Sequence, residues 1–263
     1  MDGKVQNNPQ RLTELRGKID AVDESIHHLL MQRANVIDEL IKVKGAATKK
    51  GAAFWPGREA SMMKTIAQRH SGSLPLDMVI HIWRDIISTF TYLQANYSVH
   101  LSDEGDTDLL RDMARFQFGF SVPFEKHSSA QEALNAAGAA GNALVVLALN
   151  DQGCWWQHLN SSDGFGIMAR LPVINTGLPS CDAFVIAPPI SDPVPYDMRA
   201  YAGVINEENQ LDDWTGGETI AIKKGDDEKL HALIAIGEGG TAPKTLLDIR
   251  AVGGYFAPVS NTA

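Results

Sequence analysis

The sequence predicts a multi-domain α and β chain: an all-α domain over residues 8–100, then an α/β or α+β domain over residues 101–263. Three observations predict it. Apolar residues recur at helical spacing through the first third. From about residue 109, helical stretches alternate with short apolar runs of strand type. The charge also changes sign, with 13 Lys and Arg against 10 Asp and Glu in residues 1–100, and 10 against 22 in the remainder. The net charge of −9 disfavours a general nucleic-acid binder, because phosphate binding draws on a surplus of cations.

The first helix is expected to start near Asn8, with Pro9 in its first turn, where the missing amide hydrogen is not needed. Leu12, Leu15, Ile19, Val22, Ile26, Leu29, Val36, Leu40 and Val43 follow in steps of three, four and seven. A helix over residues 10–44 spans about 50 Å. One small domain cannot cover a stripe of that length, so further helices are required, and a second copy of the chain is the natural source. Gly45–Gly51 reads as a break and a basic loop. A second helix is expected over roughly residues 57–70. After the turn at Ser71–Pro75, a third is expected over 76–97, with Val79, Ile82, Trp83, Ile86, Ile87, Phe90 and Leu93 on its apolar face.

Ser102–Asp108 reads as an acidic linker. Leu109–Phe118 reads as a helix stopped by Gly119. Ser129-Ala-Gln-Glu132 has capping-box spacing ahead of an Ala-rich helix. Ala143–Leu149, Ile167–Ile174, Ala183–Pro188 and Thr219–Lys223 read as strands, and Glu228–Ile236 as a further helix. Pro188-Pro189 and Pro193-Val-Pro195 mark a stiff crossing. Gly237–Gly240 is a loop, since no Lys-Ser/Thr follows it. Cys154 and Cys181 are too few for a disulfide framework, and Cys154-Trp155-Trp156 reads as an aromatic core cluster. The N-terminus shows no secretory pattern, and the longest aliphatic run, Ala143–Leu149, is far short of a membrane span. A cytoplasmic chain without membrane partners is expected.

Three cations lie on the first helix. At about 100° per residue, Arg33 and Lys44 share a face about 16 Å apart along the axis, while Arg16 points about 100° away. Arg33 sits four after Leu29 and three before Val36, on or beside the apolar stripe, where an unpaired guanidinium is costly. Its counter-charge is either an internal carboxylate, such as Glu59, or a ligand. Lys44 closes the helix where the macrodipole favours a cation. Arg58 and Glu59 open the second helix, and Gln94 lies near the end of the third. Read alone, each has a plain surface role. Together they form a slightly basic helical unit whose cations can converge on a small di-anion.

The blocks and their order are more specific. L-R-G-K-I-D-A-V-D-E at 15–24, L-L-M-Q-R at 29–33, V-K at 43–44, P-G-R-E-A at 56–60 and W-R-D-I-I-S at 83–88, followed by Gln94, resemble the all-α class of chorismate mutases over residues 10–98. That class includes the mutase part of bifunctional mutase–prephenate dehydratases. The resemblance implies an intertwined homodimer with shared sites and chorismate as substrate. Arg16 matches the arginine that crosses from the partner chain, Arg33 the arginine that holds a substrate carboxylate, and Lys44 the lysine at the ether oxygen. Arg58 and Glu59 match the second-helix arginine and the glutamate at the substrate hydroxyl. Gln94 matches the third-helix side chain at the ether oxygen. Trp55 and Phe90 depart from the pattern, where some members carry an acidic residue and a serine. Arg33, Lys44 and Gln94 are the implied catalytic groups.

The implied rearrangement is intramolecular and needs no nucleophile, proton transfer, cofactor or metal. The eight histidines show no metal-ligand spacing along the sequence. Residues 108–160, with R-D-M-A-R-F-Q-F-G, H-S-S-A-Q-E-A-L and L-V-V-L-A-L, resemble the start of a prephenate dehydratase domain. The Thr-Arg-Phe motif of that family is absent, which implies that dehydratase activity is lost. The last sixty residues read as a small regulatory-type module. Two alternatives share the helical pocket: a lyase that removes pyruvate from isochorismate, and a non-catalytic sensor of aromatic metabolites, which Trp55 and Phe90 favour.

Overall fold

The computed structural model describes residues 8–44, 54–151, 153–160, 164–175, 181–190 and 195–260. The chain divides into two compact units, residues 1–47 and 48–263. The second and third helices are part of the same unit as the sheet, through packing of the third helix on the fourth.

Among the described residues, the first unit contains one helix, α1 (Pro9–Lys44). The Asn8 side-chain oxygen accepts from the amides of Gln10 and Arg11, closing the N-terminus around Pro9 as expected. Glu14 bridges Arg11 at 2.7 Å and Lys18 at 2.8 Å, exposed pairs one turn apart that solvent screens. Most of its apolar stripe is exposed: Leu12, Leu15, Ile19, Val22, Ile26, Leu29 and Val36 are 41–63% exposed. The expected break at Gly45–Gly51 lies outside the described residues.

The second unit opens with α2 (Pro56–Arg69) and α3 (Leu76–Gln94). Met63, Ile66, Leu76, Ile80 and Ile87 form the core between them. α3 ends three residues before the expected Tyr97, because Ala95 turns extended and the chain enters β1 (Ser98–Ser102). There follow α4 (Thr107–Phe118), β2 (Phe124–His127), α5 (Ala130–Ala140) and β3 (Ala143–Ala148). Gly119 ends α4 at φ +65°, a conformation that suits a residue without a side chain. At α5, Ser129 Oγ accepts from the Glu132 amide, while Glu132 reaches back to Ser128 rather than to Ser129.

The remaining strands are β4 (Gly166–Leu171), β5 (Ile174–Asn175), β6 (Ala183–Ala187), β7 (Met198–Ile205), β8 (Glu218–Lys224), β9 (Leu230–Gly237), β10 (Leu247–Tyr255) and β11 (Val259–Ser260). Nine of the described strands form one sheet in the order β2-β1-β3-β6-β4-β10-β7-β9-β8, and β11 pairs with β5. The β2-β1-β3 end is parallel and carries helices, and β7, β9 and β8 form an antiparallel end. β3 is buried on both faces. Val145 and Leu147 pack with Trp155, Trp156 and Phe184, and Leu144 and Val146 pack with Val99, Leu101 and Val185. That double burial explains its unbroken aliphatic run.

The helix expected over Glu228–Ile236 is instead strand β9. Its alanines favour helix in isolation, but pairing with β7 on one side and β8 on the other buries residues 231–236 and outweighs that preference. The single expected strand over Ile167–Ile174 divides into β4 and β5 around Pro172. β10 escapes notice because its L-D-I-R-A-V-G-G-Y run mixes polar residues with glycine. Gly253 there is at φ +124°, and a Cβ would come 2.1 Å from the Ile167 carbonyl oxygen, so close packing of β10 on β4 requires glycine.

Candidate active site

Three of the six predicted residues lie on α1. Arg16 is exposed, Arg33 is half-buried, and Lys44 is the last helical residue. The other three lie in the second unit. Pro56 occupies the first turn of α2, which places Glu59 where the helix dipole favours an anion. Arg58, beside it, is exposed on a groove shared with Ser61, Met62, Thr65, Arg69 and Trp83. Gln94 ends α3 and donates from Nε2 to the Phe90 carbonyl at 3.1 Å. The Trp55 carbonyl accepts the Glu59 amide at 2.9 Å.

Glu59 meets a cation that the sequence reading did not single out. Arg84 Nη1 lies 2.7 Å from Glu59 Oε2, and Arg84 Nε donates to the Gln117 carbonyl at 3.1 Å. Arg84 is 3% exposed. The ion pair thus ties α2 to α3 and α4. Tyr97 stands nearby, with its ring edge-on to Phe54 at 4.8 Å; burial, and then the Glu59 charge, push its phenol well above the ordinary range. Ten residues, about 15 Å of helix rise, separate Arg84 from Gln94. Arg84 was legible in principle. It sits four after Ile80 and three before Ile87, the same position on an apolar stripe that drew attention to Arg33.

Comparison with known proteins follows the same segment. Residues 15–95 match the chorismate mutase type II family. All six predicted residues, and Arg84 with them, fall inside the match. A bifunctional chorismate mutase/prephenate dehydratase from Stutzerimonas stutzeri is 30% identical over 149 residues, covering 54% of this chain and 40% of that protein. One from Pseudomonas aeruginosa is 29% identical over 149 residues, with the same coverage. One from Aquifex aeolicus is 28% identical over 127 residues, covering 47% and 34%. The chain thus spans at most about 40% of the length of these curated relatives. No solved structure matches at a significant level. No described helix is long and apolar enough to cross a membrane.

Outside the mutase-like segment, a second polar group gathers where β1 and β3 end. Asp151 is fully buried, and Lys223 Nζ donates to the Leu149 carbonyl at 2.9 Å and the Asp151 carbonyl at 2.5 Å. Burial pushes the Asp151 carboxyl up to about 7; Glu104 adds to the rise, and Ser102 and Lys223 oppose it. A carboxyl whose folded pKa is raised keeps a proton that the unfolded chain has already lost. Its contribution to stability is therefore full below about pH 4 and lost as pH rises through about 7. Asp151→Asn is expected to remove this loss, recovering about 2 kcal/mol between mildly acidic and mildly alkaline buffer. Urea midpoints of both proteins across that range check it; parallel curves would contradict it.

Proposed function

We propose that residues 10–98 convert chorismate to prephenate at sites shared by two copies of the chain. The observation that carries this reading is the exposed apolar stripe of α1, inside a segment that matches chorismate mutase type II and contains the residues that the resemblance assigns to the site. A helix of this length with an exposed stripe calls for a partner helix, and a second α1 is self-complementary to it. In this reading Arg16 of one copy and Arg33 of the other hold the two carboxylates and fix the reactive conformer, which reduces the entropy lost at the barrier. Lys44 and Gln94 stabilise negative charge that grows on the ether oxygen as its carbon bond breaks and the new carbon–carbon bond forms. Arginine suits planar carboxylates, and lysine acts as a point charge. Arg58 and Glu59 complete the pocket around the ring.

The relatives named above combine mutase and dehydratase in one protein. Absence of the Thr-Arg-Phe motif supports a sheet unit that no longer dehydrates prephenate.

Gln94→Glu is expected to be active only at lower pH, where its carboxyl is protonated and can donate to the ether oxygen. A pH–rate profile matching that of the unaltered protein would remove Gln94 from the mechanism. Assays of the full chain with chorismate and with isochorismate separately test the function itself. Prephenate from chorismate is expected. Pyruvate from isochorismate alone would transfer the site to the lyase reading, and turnover of neither, with tight binding of phenylalanine or tyrosine, to the sensor reading.

A further inference from the structure

The parallel edge of the large sheet brings three metal-ligating side chains together from positions up to 27 residues apart. In the β1–β2 register His100 stands opposite Glu125, and Ser102 opposite His127. Since alternate residues of a strand share a face, His100, Glu125 and His127 all project from one side. Their ligand atoms lie within 4.8 Å of one another. His100 Nδ1 is 2.8 Å from His127 Nε2 and 4.0 Å from Glu125 Oε2.

The surroundings are those of a ligand set. Ser98 Oγ lies 2.9 Å from His100 Nε2, which orients the buried ring and aims its Nδ1 at His127, as outer hydrogen bonds orient metal-bound imidazoles. Glu125 is largely exposed and β2 is the edge strand, so the site is open to entry from solvent. Two imidazoles and one carboxylate, with a fourth position left for water, form the donor set zinc takes in open sites. Two nitrogens bound to one tetrahedral zinc stand about 3.3 Å apart, so the rings need to part by only about half an ångström from their present contact.

We infer that His100, Glu125 and His127 form a zinc-type divalent metal site that pins edge strand β2 to β1. This inference is independent of the mutase reading, since none of the three residues belongs to that site.

The test uses the full, untagged chain, stripped with a chelator and titrated calorimetrically with Zn²⁺ alone. One equivalent per chain is expected, with a higher melting temperature on loading. Binding is expected to weaken at least tenfold, and the melting shift to vanish, in His127→Ala and in Glu125→Gln; the second replaces an exposed side chain and leaves the fold intact. Absence of stoichiometric binding would overturn the proposal. So would equal binding in the unaltered chain and both variants, which would place the zinc elsewhere, for example at His27-His28.

Discussion

Lys44→Ala is expected to slow chorismate turnover at saturating substrate by roughly a hundredfold or more, the effect of removing one preorganised charge from a developing oxyanion. Lys44 ends α1, where any cation gains from the helix dipole, so a structural role must be separated from a catalytic one. The magnitudes separate them. The dipole interaction of a cation at a helix end is typically worth about 0.3–1 kcal/mol, which alters helix stability slightly and the barrier of a bound substrate not at all. The charge on the ether oxygen, by contrast, exists only in the transition state, so its loss appears in kcat and kcat/KM together. Steady-state kinetics with circular dichroism on the same sample check this. Near-normal kcat with an intact helical signal would remove Lys44 from the mechanism.

Arg84→Ala carries the largest expected effect on stability, a loss of about 3–5 kcal/mol, because it leaves the Glu59 carboxylate and the Gln117 carbonyl without their buried partner. Arg84→Met combined with Glu59→Leu is expected to be far more stable than Arg84→Ala, since well-packed apolar groups tolerate the site better than half an ion pair does. Denaturant midpoints of the three proteins decide. A cost below about 1 kcal/mol for Arg84→Ala would mean the pair is no stronger than a surface bridge. Arg84 also fixes the carboxylate that the mutase resemblance assigns to the substrate hydroxyl. The same substitution is therefore expected to raise KM for chorismate in whatever fraction stays folded, a readout that loss of fold alone does not produce.

The N-terminal helices are legible because their period of 3.6 persists over many turns and Pro9 and Pro56 open two of them; Gly119 marks the end of α4 in the same way. β3 and β6 were legible as short aliphatic runs, and the Trp155-Trp156 cluster is buried as expected. β9 reads as a helix because Ala and Leu favour that state; its pairing with the adjacent β8 and with β7, some twenty-five residues earlier, overrides the preference. β1, β7 and β10 carry too much polarity or glycine to stand out before their partners are known. The candidate site divides in the same way. Arg16, Arg33, Lys44, Arg58, Glu59 and Gln94 stand in blocks that resemble the mutase family, and helical angles bear only on the three cations of α1. Arg84 lies within the W-R-D-I-I-S block, and its place between Ile80 and Ile87 matches that of Arg33 between Leu29 and Val36. His100, Glu125 and His127 show no spacing at all, since only strand pairing joins them.

Subunit complementation tests directly whether two chains complete each site. Arg16→Ala and Lys44→Ala proteins, each expected to be nearly inactive, are co-expressed with different tags and the mixed species is purified through both. If Arg16 crosses between chains, one site of the mixed dimer holds every native residue and the other lacks both, so about half of the unaltered activity returns. A mixed species as inactive as its parents would contradict the shared site.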